Sequence, residues 1–367
     1  MATLQWQVVN ETQASLDVTT DVQSLNFTVG RSTALAPYSG NIAAITMFSY
    51  GGAESTMSVN DEITLAVYNG VSYETVFAGR VASRNFNDVP GTGVNSTMTV
   101  MINDQMLQAG ASNMQNQSLV SVNDQIAEID TIFPLIDIGA DPTDVDISVG
   151  TFTTNANQRI NEIISGDRGI LFNYFGLNYY LPPSIFPAQQ TTALTFGRTT
   201  SASQVAYQSL IRVEAASNSL FYNQATVTGS ASTVTKDSDS ISIYGIKSFS
   251  VTTAQSELVT ETAEWYSNTF TEPETQMLYM TIVDYGQNAT ALNLLATFIG
   301  FNQFVVVSYT PPGESAVTGY YWPEQMTVNA TTSGTTIEFA MTPQTYYANF
   351  ILDDAVFGVL DTDRLGV

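Results

Sequence analysis

The segment Leu25-Asn26-Phe27-Thr28-Val29-Gly30-Arg31-Ser32 alternates apolar and polar side chains over its first five residues and then reaches a glycine. Strict alternation is typical of a half-buried β-strand, and a glycine often marks the place where such a strand turns. The same alternation returns in four further segments, namely 42–48, 61–68, 76–81 and 96–102. Short strands at this regular spacing predict a small antiparallel β-barrel or sandwich in the first part of the chain.

The pattern changes after residue 110, where helical and strand-like segments are mixed. A short helix is predicted before Pro134, which would stop it, and a second helix over 155–164 carries its isoleucines on one face. The aromatic segment 169–181 predicts a β-hairpin that turns at Gly176. The middle of the chain is therefore expected to be a mixed α/β region.

Strands dominate again from residue 205 onward. The predicted strands are 220–228, 241–244, 277–283, 303–310, 324–330 and 335–342, and the predicted helices are 257–270 and 289–298. The Ser/Thr-rich segment 229–240 is predicted to be a mobile loop. The whole chain is thus expected to be mainly β with short helices, a β-rich α+β fold with barrel or sandwich domains at its two ends. The expected domains are 1–110, 111–204 and 205–367, the last of them a candidate second barrel.

The charge balance is strongly acidic. The chain has 34 acidic and 10 basic residues, a net charge of -24, and its only lysines are Lys236 and Lys247. Nucleic-acid binding through phosphate contacts needs a basic surface, and so does attachment to an anionic membrane. Neither is expected here. Only 12% of the 367 residues are charged, and a polar but uncharged surface suits strands that pair with neighbours.

Cysteine and histidine are both absent. The missing thiols exclude disulfides and a thiolate nucleophile, and the missing imidazoles exclude a Ser-His-Asp triad and a His-ligated zinc. Residues 1–6 show no basic region followed by an apolar run, and no apolar stretch is long enough to span a membrane. The sequence therefore predicts a non-enzymatic protein without a signal peptide, a membrane segment, a cofactor or a resident metal.

One group of carboxylates is a candidate metal site. Asp137, Asp141, Asp144 and Asp146 have an oxygen-rich spacing of the kind that ligates calcium. The group lacks the central glycine and terminal glutamate of an EF-hand loop, and Pro142 interrupts it, so a solvated loop is the favoured interpretation. A pair of carboxylates for glycoside hydrolysis is not identifiable, because sequence does not show which acids lie close together.

The aromatic residues of the predicted hairpin are the remaining candidate site. They are Phe172, Tyr174, Phe175, Tyr179 and Tyr180. Aromatic side chains can stack on sugars, but in a hairpin they more often pack in a core or a subunit contact. Packing is the favoured interpretation, and a glycan platform remains the alternative.

Several segments together resemble one protein family. Asp17-Val18-Thr19, the segment quoted first and Ala43-Ala44-Ile45-Thr46-Met47 resemble the opening of siphophage-like minor tail proteins of the baseplate or tail-tip hub family. Later segments that are similar to those of the family, in the same order, are Phe77-Ala78-Gly79-Arg80-Val81, Asn103-Asp104, Leu220-Phe221-Tyr222-Asn223-Gln224-Ala225-Thr226-Val227-Thr228, Tyr244-Gly245-Ile246-Lys247-Ser248, Ile351-Leu352-Asp353-Asp354 and Phe357-Gly358-Val359-Leu360-Asp361-Thr362-Asp363-Arg364-Leu365-Gly366. Lys247 stands where the family usually has arginine.

This resemblance implies a virion protein at the tip of a phage tail, made in the cytoplasm of the bacterial host. Hub proteins of this family form rings, typically trimers, from barrel domains related to the tail tube, so that three chains present a pseudo-sixfold face to a hexameric tube. The implied partners are further copies of the chain, the tail tube, the distal tail protein and the fibre or tip proteins.

Three other functions remain open. The chain could be a distal tail protein that forms a hexameric ring, a receptor- or carbohydrate-binding tail module, or a tail-associated peptidoglycan hydrolase. In a ring through which DNA slides, acidic residues along the lumen would repel phosphates and ease its passage.

Overall fold

The computed structural model describes residues 6–38, 40–48, 56–68, 72–87, 96–111, 117–119, 135–137, 150–152, 155–167, 169–174, 177–181, 195–199, 201, 204–213, 221–229, 232–253, 259–271, 273, 276–284, 304–310, 313 and 315–346. The first strands are β1 (Trp6–Asn10), β2 (Leu16–Asp17), β3 (Val22–Gly30), β4 (Ile42–Phe48), β5 (Glu62–Tyr68), β6 (Tyr73–Asn87) and β7 (Thr97–Asn103). They are followed by α1 (Gln105–Ala111), β8 (Gln117–Leu119), β9 (Leu135–Asp137), β10 (Gly150–Phe152), α2 (Ala156–Asp167), β11 (Ile170–Tyr174) and β12 (Leu177–Leu181).

The remaining elements are again mostly strands. They are β13 (Thr195–Gly197), β14 (Gln204–Ala206), β15 (Ser209–Val213), β16 (Gln224–Thr228), β17 (Ser232–Lys236), α3 (Ser238–Tyr244), β18 (Ser248–Thr252), α4 (Val259–Thr269), β19 (Gln276–Asp284), β20 (Val305–Tyr309), β21 (Val317–Thr331) and β22 (Gly334–Pro343). Fourteen of the described strands form one continuous sheet, so the β-rich fold class predicted from the sequence is confirmed. No helix in the described part of the chain is long and apolar enough to cross a membrane.

The strands β1–β7 form the first lobe, in the order β3-β4-β7-β6-β5-β1-β2. In a flat sheet β3 and β1 would lie about 24 Å apart, because neighbouring strands are spaced by about 4.8 Å. The ring centroids of Trp6 on β1 and Phe27 on β3 are only 5.7 Å apart. The sheet therefore curls until β1 and β3 face each other across a core, in which the ring centroid of Phe77 lies 5.9 Å from that of Phe27.

The second lobe consists of β13–β15 and β19–β22. Five of its strands have the order β15-β19-β22-β21-β20, which matches β3-β4-β7-β6-β5 strand for strand along the chain. All neighbouring pairs in both series are antiparallel. Beyond them the match ends, because β1 is antiparallel to β5 whereas β13 is parallel to β20. A five-strand unit is thus repeated, where the sequence shows only strand-rich blocks at both ends.

The two lobes are connected by the antiparallel pairing of β3 with β21, which we call the joint. It contains seven residue pairs, from Gln325 opposite Gly30 to Thr331 opposite Ser24. At its centre Phe27 lies opposite Val328, and neither side chain is exposed to solvent. The joint therefore merges the cores of the two lobes into one hydrophobic core.

A β-bulge in β21 marks the beginning of the joint. The register shifts between Pro323 and Gln325, so Glu324 is the extra residue, and its carbonyl accepts a hydrogen bond of 2.8 Å from the backbone N–H of Arg31. Gly30 has a φ of +93°, and a Cβ at this position would collide with the Glu324 carbonyl. Glycine is required here by both the backbone angle and the close approach.

A smaller sheet, in the order β17-β16-β18, packs against α4. Two sequence predictions in this region are wrong. The segment 229–240 contains β17 instead of a loop, and 241–244 belongs to α3 instead of a strand. The helix forms because the Asp237 carboxylate caps it, accepting hydrogen bonds from the N–H groups of Asp239 and Ser240.

Other sequence predictions are confirmed. The segment 169–181 is the antiparallel hairpin β11–β12, and the helices predicted at 155–164 and 257–270 are α2 and α4. The isoleucines Ile160, Ile163 and Ile164 share the buried face of α2. Four further predictions lie outside the described residues. They are the helix before Pro134, the helix at 289–298, the turn at Gly176 and the C-terminal segment 351–366.

Gly30→Ala is expected to lower the free energy of unfolding by roughly 2–4 kcal/mol, because the methyl group meets backbone and the φ angle is unfavourable. Gly313 is the matched control, since its φ is +81° and nothing lies near its Cβ position. Gly313→Ala should cost only about 1–2 kcal/mol. Urea denaturation measures both, and equal losses in the two variants would contradict the close contact at the joint.

Candidate functional site

The aromatic hairpin proposed from the sequence has the expected backbone pairing. Phe172 lies opposite Tyr179, and Tyr180 lies opposite Leu171 on one side and Asp137 of β9 on the other. Phe175 and the side chains of the other four aromatic residues lie outside the described part of the structure. Their role as a glycan platform or as a packing surface therefore stays a prediction.

The acidic group is described in part. Asp137 ends β9, whereas Asp141, Asp144 and Asp146 lie outside the described residues. Within the described part of the chain, no three carboxylates come together in a way that could hold a metal ion. Calcium binding by residues 137–146 is thus an open prediction.

The most extensive polar arrangement lies at the joint, and its first element is an ion pair. Arg31 Nε donates to the Glu324 carboxylate at 2.7 Å, and the two side chains are 8% and 1% exposed. The bulge directs Glu324 inward, and the hydrogen bond between Arg31 N–H and Glu324 C=O fixes the same two residues through the backbone. Removing one partner would leave the other charge buried and unpaired, which typically costs about 3–5 kcal/mol. The pair therefore ties the end of β3 to the bulge of β21.

Arg31 also lies over an aromatic ring. Its guanidinium carbon is 4.7 Å from the centroid of the Tyr38 ring. Burial raises the pKa of the Tyr38 hydroxyl far above its ordinary value, so it is uncharged under all physiological conditions. The backbone of Tyr38 is held by the Asn161 side chain, which accepts from Tyr38 N–H at 2.7 Å and donates to Tyr38 C=O at 2.9 Å. The segment after β3 is thereby attached to α2.

Asn41 and Asp104 extend the arrangement on the other side of Gly30. The Asn41 side chain accepts from Gly30 N–H at 3.0 Å and donates to the Asp104 carboxylate at 2.7 Å. Asp104 also accepts from Leu107 N–H at 2.8 Å, so it caps the start of α1. Burial raises the pKa of Asp104 to about 6, against the opposing effect of these hydrogen bonds. The arrangement of Glu324, Arg31, Asn41 and Asp104 is called the polar seam below.

A cavity of about 380 Å³ opens beside the polar seam. It is bounded by residues 34–38, α2, β18 and α4, and Arg31 and Tyr38 lie on its wall. Among the residues described along its wall, Glu162 is the only carboxylate. Acid–base hydrolysis of a glycoside needs two carboxyl groups that flank the scissile bond. The described wall does not offer that arrangement.

The sequence identified part of the polar seam by resemblance only. Gly30, Arg31 and Asp104 belong to segments that were singled out for their resemblance to minor tail proteins, and each has a structural reason for its identity. Glu324 and Asn41 were not singled out. Neighbouring residues do not reveal the role of Glu324, because its partner Arg31 is 293 positions away in the sequence. Gly79, in the segment Phe77-Ala78-Gly79-Arg80-Val81, is also required by close contact, because a Cβ there would collide with the Asn103 carbonyl.

No protein-family model and no curated protein matches the sequence. Solved structures do match. The tail protein from Neisseria meningitidis MC58 superposes with a TM-score of 0.60 at 10% identity, over 92% of this chain and 95% of that one. The 43 kDa tail protein of prophage MuSo2 from Shewanella oneidensis gives a TM-score of 0.58 at 11% identity, over 93% and 99%.

A third match is an Escherichia coli component of the type VI secretion system that is itself described as structurally similar to the T4 bacteriophage tail proteins gp27 and gp5. It gives a TM-score of 0.50 at 8% identity, over 88% of this chain and 73% of that one. Likeness at such low identity shows the fold. The chain therefore shares, over nearly its whole length, the fold of these tail proteins.

Asp104 makes stability depend on pH in a defined direction. Its pKa is 3.8 in the absence of perturbation and about 6 when folded, so the folded protein retains a proton that the unfolded chain loses in this interval. The contribution of Asp104 to stability is therefore full below about pH 4 and declines as the pH rises through 6. Relative to Asp104→Asn, which does not titrate, the wild type should lose up to about 3 kcal/mol between pH 4 and 7. Urea titrations across this range measure the difference, and a constant difference would contradict the burial of a titrating carboxyl.

Proposed function

We propose that the chain is a structural component of a phage tail tip or baseplate, a minor tail protein of the hub type. Copies of it would form a ring that connects the tail tube to the host-recognition or penetration apparatus. The observation that carries the proposal is the fold, which is shared over 92–93% of the chain with two proteins described as tail proteins. The ordered sequence resemblance to minor tail proteins supports the same conclusion independently.

The repeated five-strand unit gives the ring a physical basis. Each chain contains two lobes of the same strand order, related through the joint. Three such chains would supply six comparable lobes, the number needed to face a hexameric tube. A trimer is therefore the favoured state, and a hexamer of the distal-tail type is the alternative.

The charge of the chain fits a channel for DNA. With 34 acidic residues against 10 basic ones, a lumen lined by part of this excess would repel phosphates. Attractive contacts in such a channel would slow the passage of DNA, because each bound phosphate has to be released again. The proposed partners are accordingly other tail proteins, with DNA passing through and not bound.

The ring is tested by the mass of the assembled protein. Mass photometry of the purified chain is expected to give a species of three times the mass of the chain, and averaged images of the tail tip should show the same symmetry. A species of six chains would favour the distal-tail alternative. A chain that stays monomeric at every concentration and in the virion would contradict the ring.

We also propose that the chain catalyses no reaction. The absence of histidine and cysteine removes the commonest bases and nucleophiles, and Glu162 has no second carboxylate beside it in the described wall of the cavity. Zymography on host cell walls is expected to show no clearing, with a known muramidase as the positive control. Clearing by the purified chain would contradict the proposal. Binding to a glycan array would instead favour the receptor-binding alternative.

A further inference from the structure

We propose that the cavity beside the polar seam is a binding site for an uncharged sugar residue. The cavity has a volume of about 380 Å³, and small-ligand sites usually have about 300–1,000 Å³. Its wall combines aromatic rings from α4 with polar side chains from α2 and β18. The site goes beyond the proposed ring and does not depend on it.

Trp265 of α4 provides the stacking surface of the site. Its neighbours on the wall, Tyr266 and Phe270, are 6% and 1% exposed, whereas Trp265 is only half-buried. Both neighbours contact the indole ring in T-shaped geometry, at centroid distances of 4.8 Å and 5.6 Å, and so hold it in place. A rigid and partly accessible indole can pack against the C–H face of a sugar ring at little cost in side-chain entropy.

One face of α2 supplies hydrogen-bonding groups. Gln158, Glu162 and Ser165 line the cavity, and their spacing of four and three residues places them along one side of the helix. Gln158 Nε2 donates to the Glu162 carboxylate at 3.3 Å, so an amide and a carboxylate lie side by side. Adjacent hydroxyl groups of a sugar can bind to such a pair, because the amide also has a second N–H and a carbonyl oxygen.

The strand β18 adds backbone groups to the wall. Its four successive residues 249–252 all line the cavity, and successive side chains of a strand point to opposite faces, so the strand presents an edge to the cavity. Its other edge pairs with β16, the only partner of β18 among the described strands. Backbone N–H and C=O groups alternate along such an edge, next to the hydroxyls of Ser250 and Thr252. Sugar hydroxyls suit this surface, because they both donate and accept.

The charges on the wall indicate an uncharged ligand. Arg31 is paired with Glu324 at 2.7 Å, and Glu162 lies 3.6 Å from Arg159, whose side chain is 1% exposed. A charged ligand would have to compete with these existing pairs. A wholly apolar ligand would leave the polar groups of α2 and β18 buried without partners, which lowers affinity. A polyhydroxylated ring with an apolar face avoids both costs, and a single carboxylate on the described wall binds such a ring without cleaving its glycosidic bond.

Tryptophan fluorescence reports on the site. The chain has three tryptophans, of which Trp6 and Trp322 are 1% and 0% exposed. A sugar that packs on Trp265 is therefore expected to shift the emission and to reduce its quenching by acrylamide. The probes are N-acetylglucosamine oligomers, which share the backbone chemistry of cell walls, and neutral hexose oligomers, which share that of surface polysaccharides. The family that binds identifies the source of the ligand, and phosphorylated oligomers are the charged comparison.

Two substitutions test the wall on a glycan array that carries the same oligomers. Trp265→Ala is expected to abolish binding, and Gln158→Ala should lower the affinity roughly tenfold through the loss of its hydrogen bonds. Gln158 is exposed, so its replacement keeps the fold intact even if the tryptophan variant does not fold. Gln208→Ala is the matched control, because Gln208 is an exposed glutamine outside the described wall, and it should bind like the wild type.

The outcomes separate the site from the ring. No binding of any neutral oligomer at millimolar concentration would overturn the site, and so would an unchanged affinity of Gln158→Ala. Preferential binding of the phosphorylated oligomers would overturn the class of ligand. Mass photometry of the same samples distinguishes the two proposals. A trimer that binds no sugar retains the ring and loses the site, whereas a monomer that binds sugar through Trp265 retains the site and favours the receptor-binding alternative.

Discussion

The backbone hydrogen bonds between β3 and β21 join segments that are about three hundred residues apart, and they decide how the rest of the chain is arranged. Each lobe can curl around its own aromatic residues, but only this pairing places Val328 against Phe27 and merges the two cores. Contacts of such long sequence separation form late, because the intervening chain has to be ordered or closed into a loop first. The joint is thus the centre of the fold, and we expect it to be among the last contacts to form.

The polar seam makes the joint specific. Strand pairing alone tolerates slippage by two residues, since side chains would keep their faces. The Glu324 bulge, the left-handed Gly30 and the ion pair with Arg31 allow one register, because any shift would bury an unpaired charge. Hydrogen bonds of Asn41 and Asp104 fix the start of α1 relative to the joint, and a hydrogen bond of Tyr38 does the same for α2. A few buried polar groups therefore determine how helices and sheet are placed around the joint.

The sequence predicts what depends on neighbouring residues. Alternation predicted β3 and β4, and the isoleucines predicted α2, because periodicity reflects which face is buried. The strand predicted at 241–244 was wrong, since its apolar alternation was overridden by the Asp237 cap, a local hydrogen-bonding effect. The ion pair was not predictable from residue types, because Glu324 is one of many acids and only the bulge turns it inward. The repeat was equally hidden, since the corresponding strands β3 and β15 share a place in the sheet but have different sequences.

The joint within the chain also affects how a ring would assemble. Two lobes on one chain face each other at a high effective concentration, so half of the contacts in a six-lobed ring would form without any loss of translational freedom. A ring built in this way would dissociate into whole chains, each with its lobes still joined, and could reassemble from them without refolding.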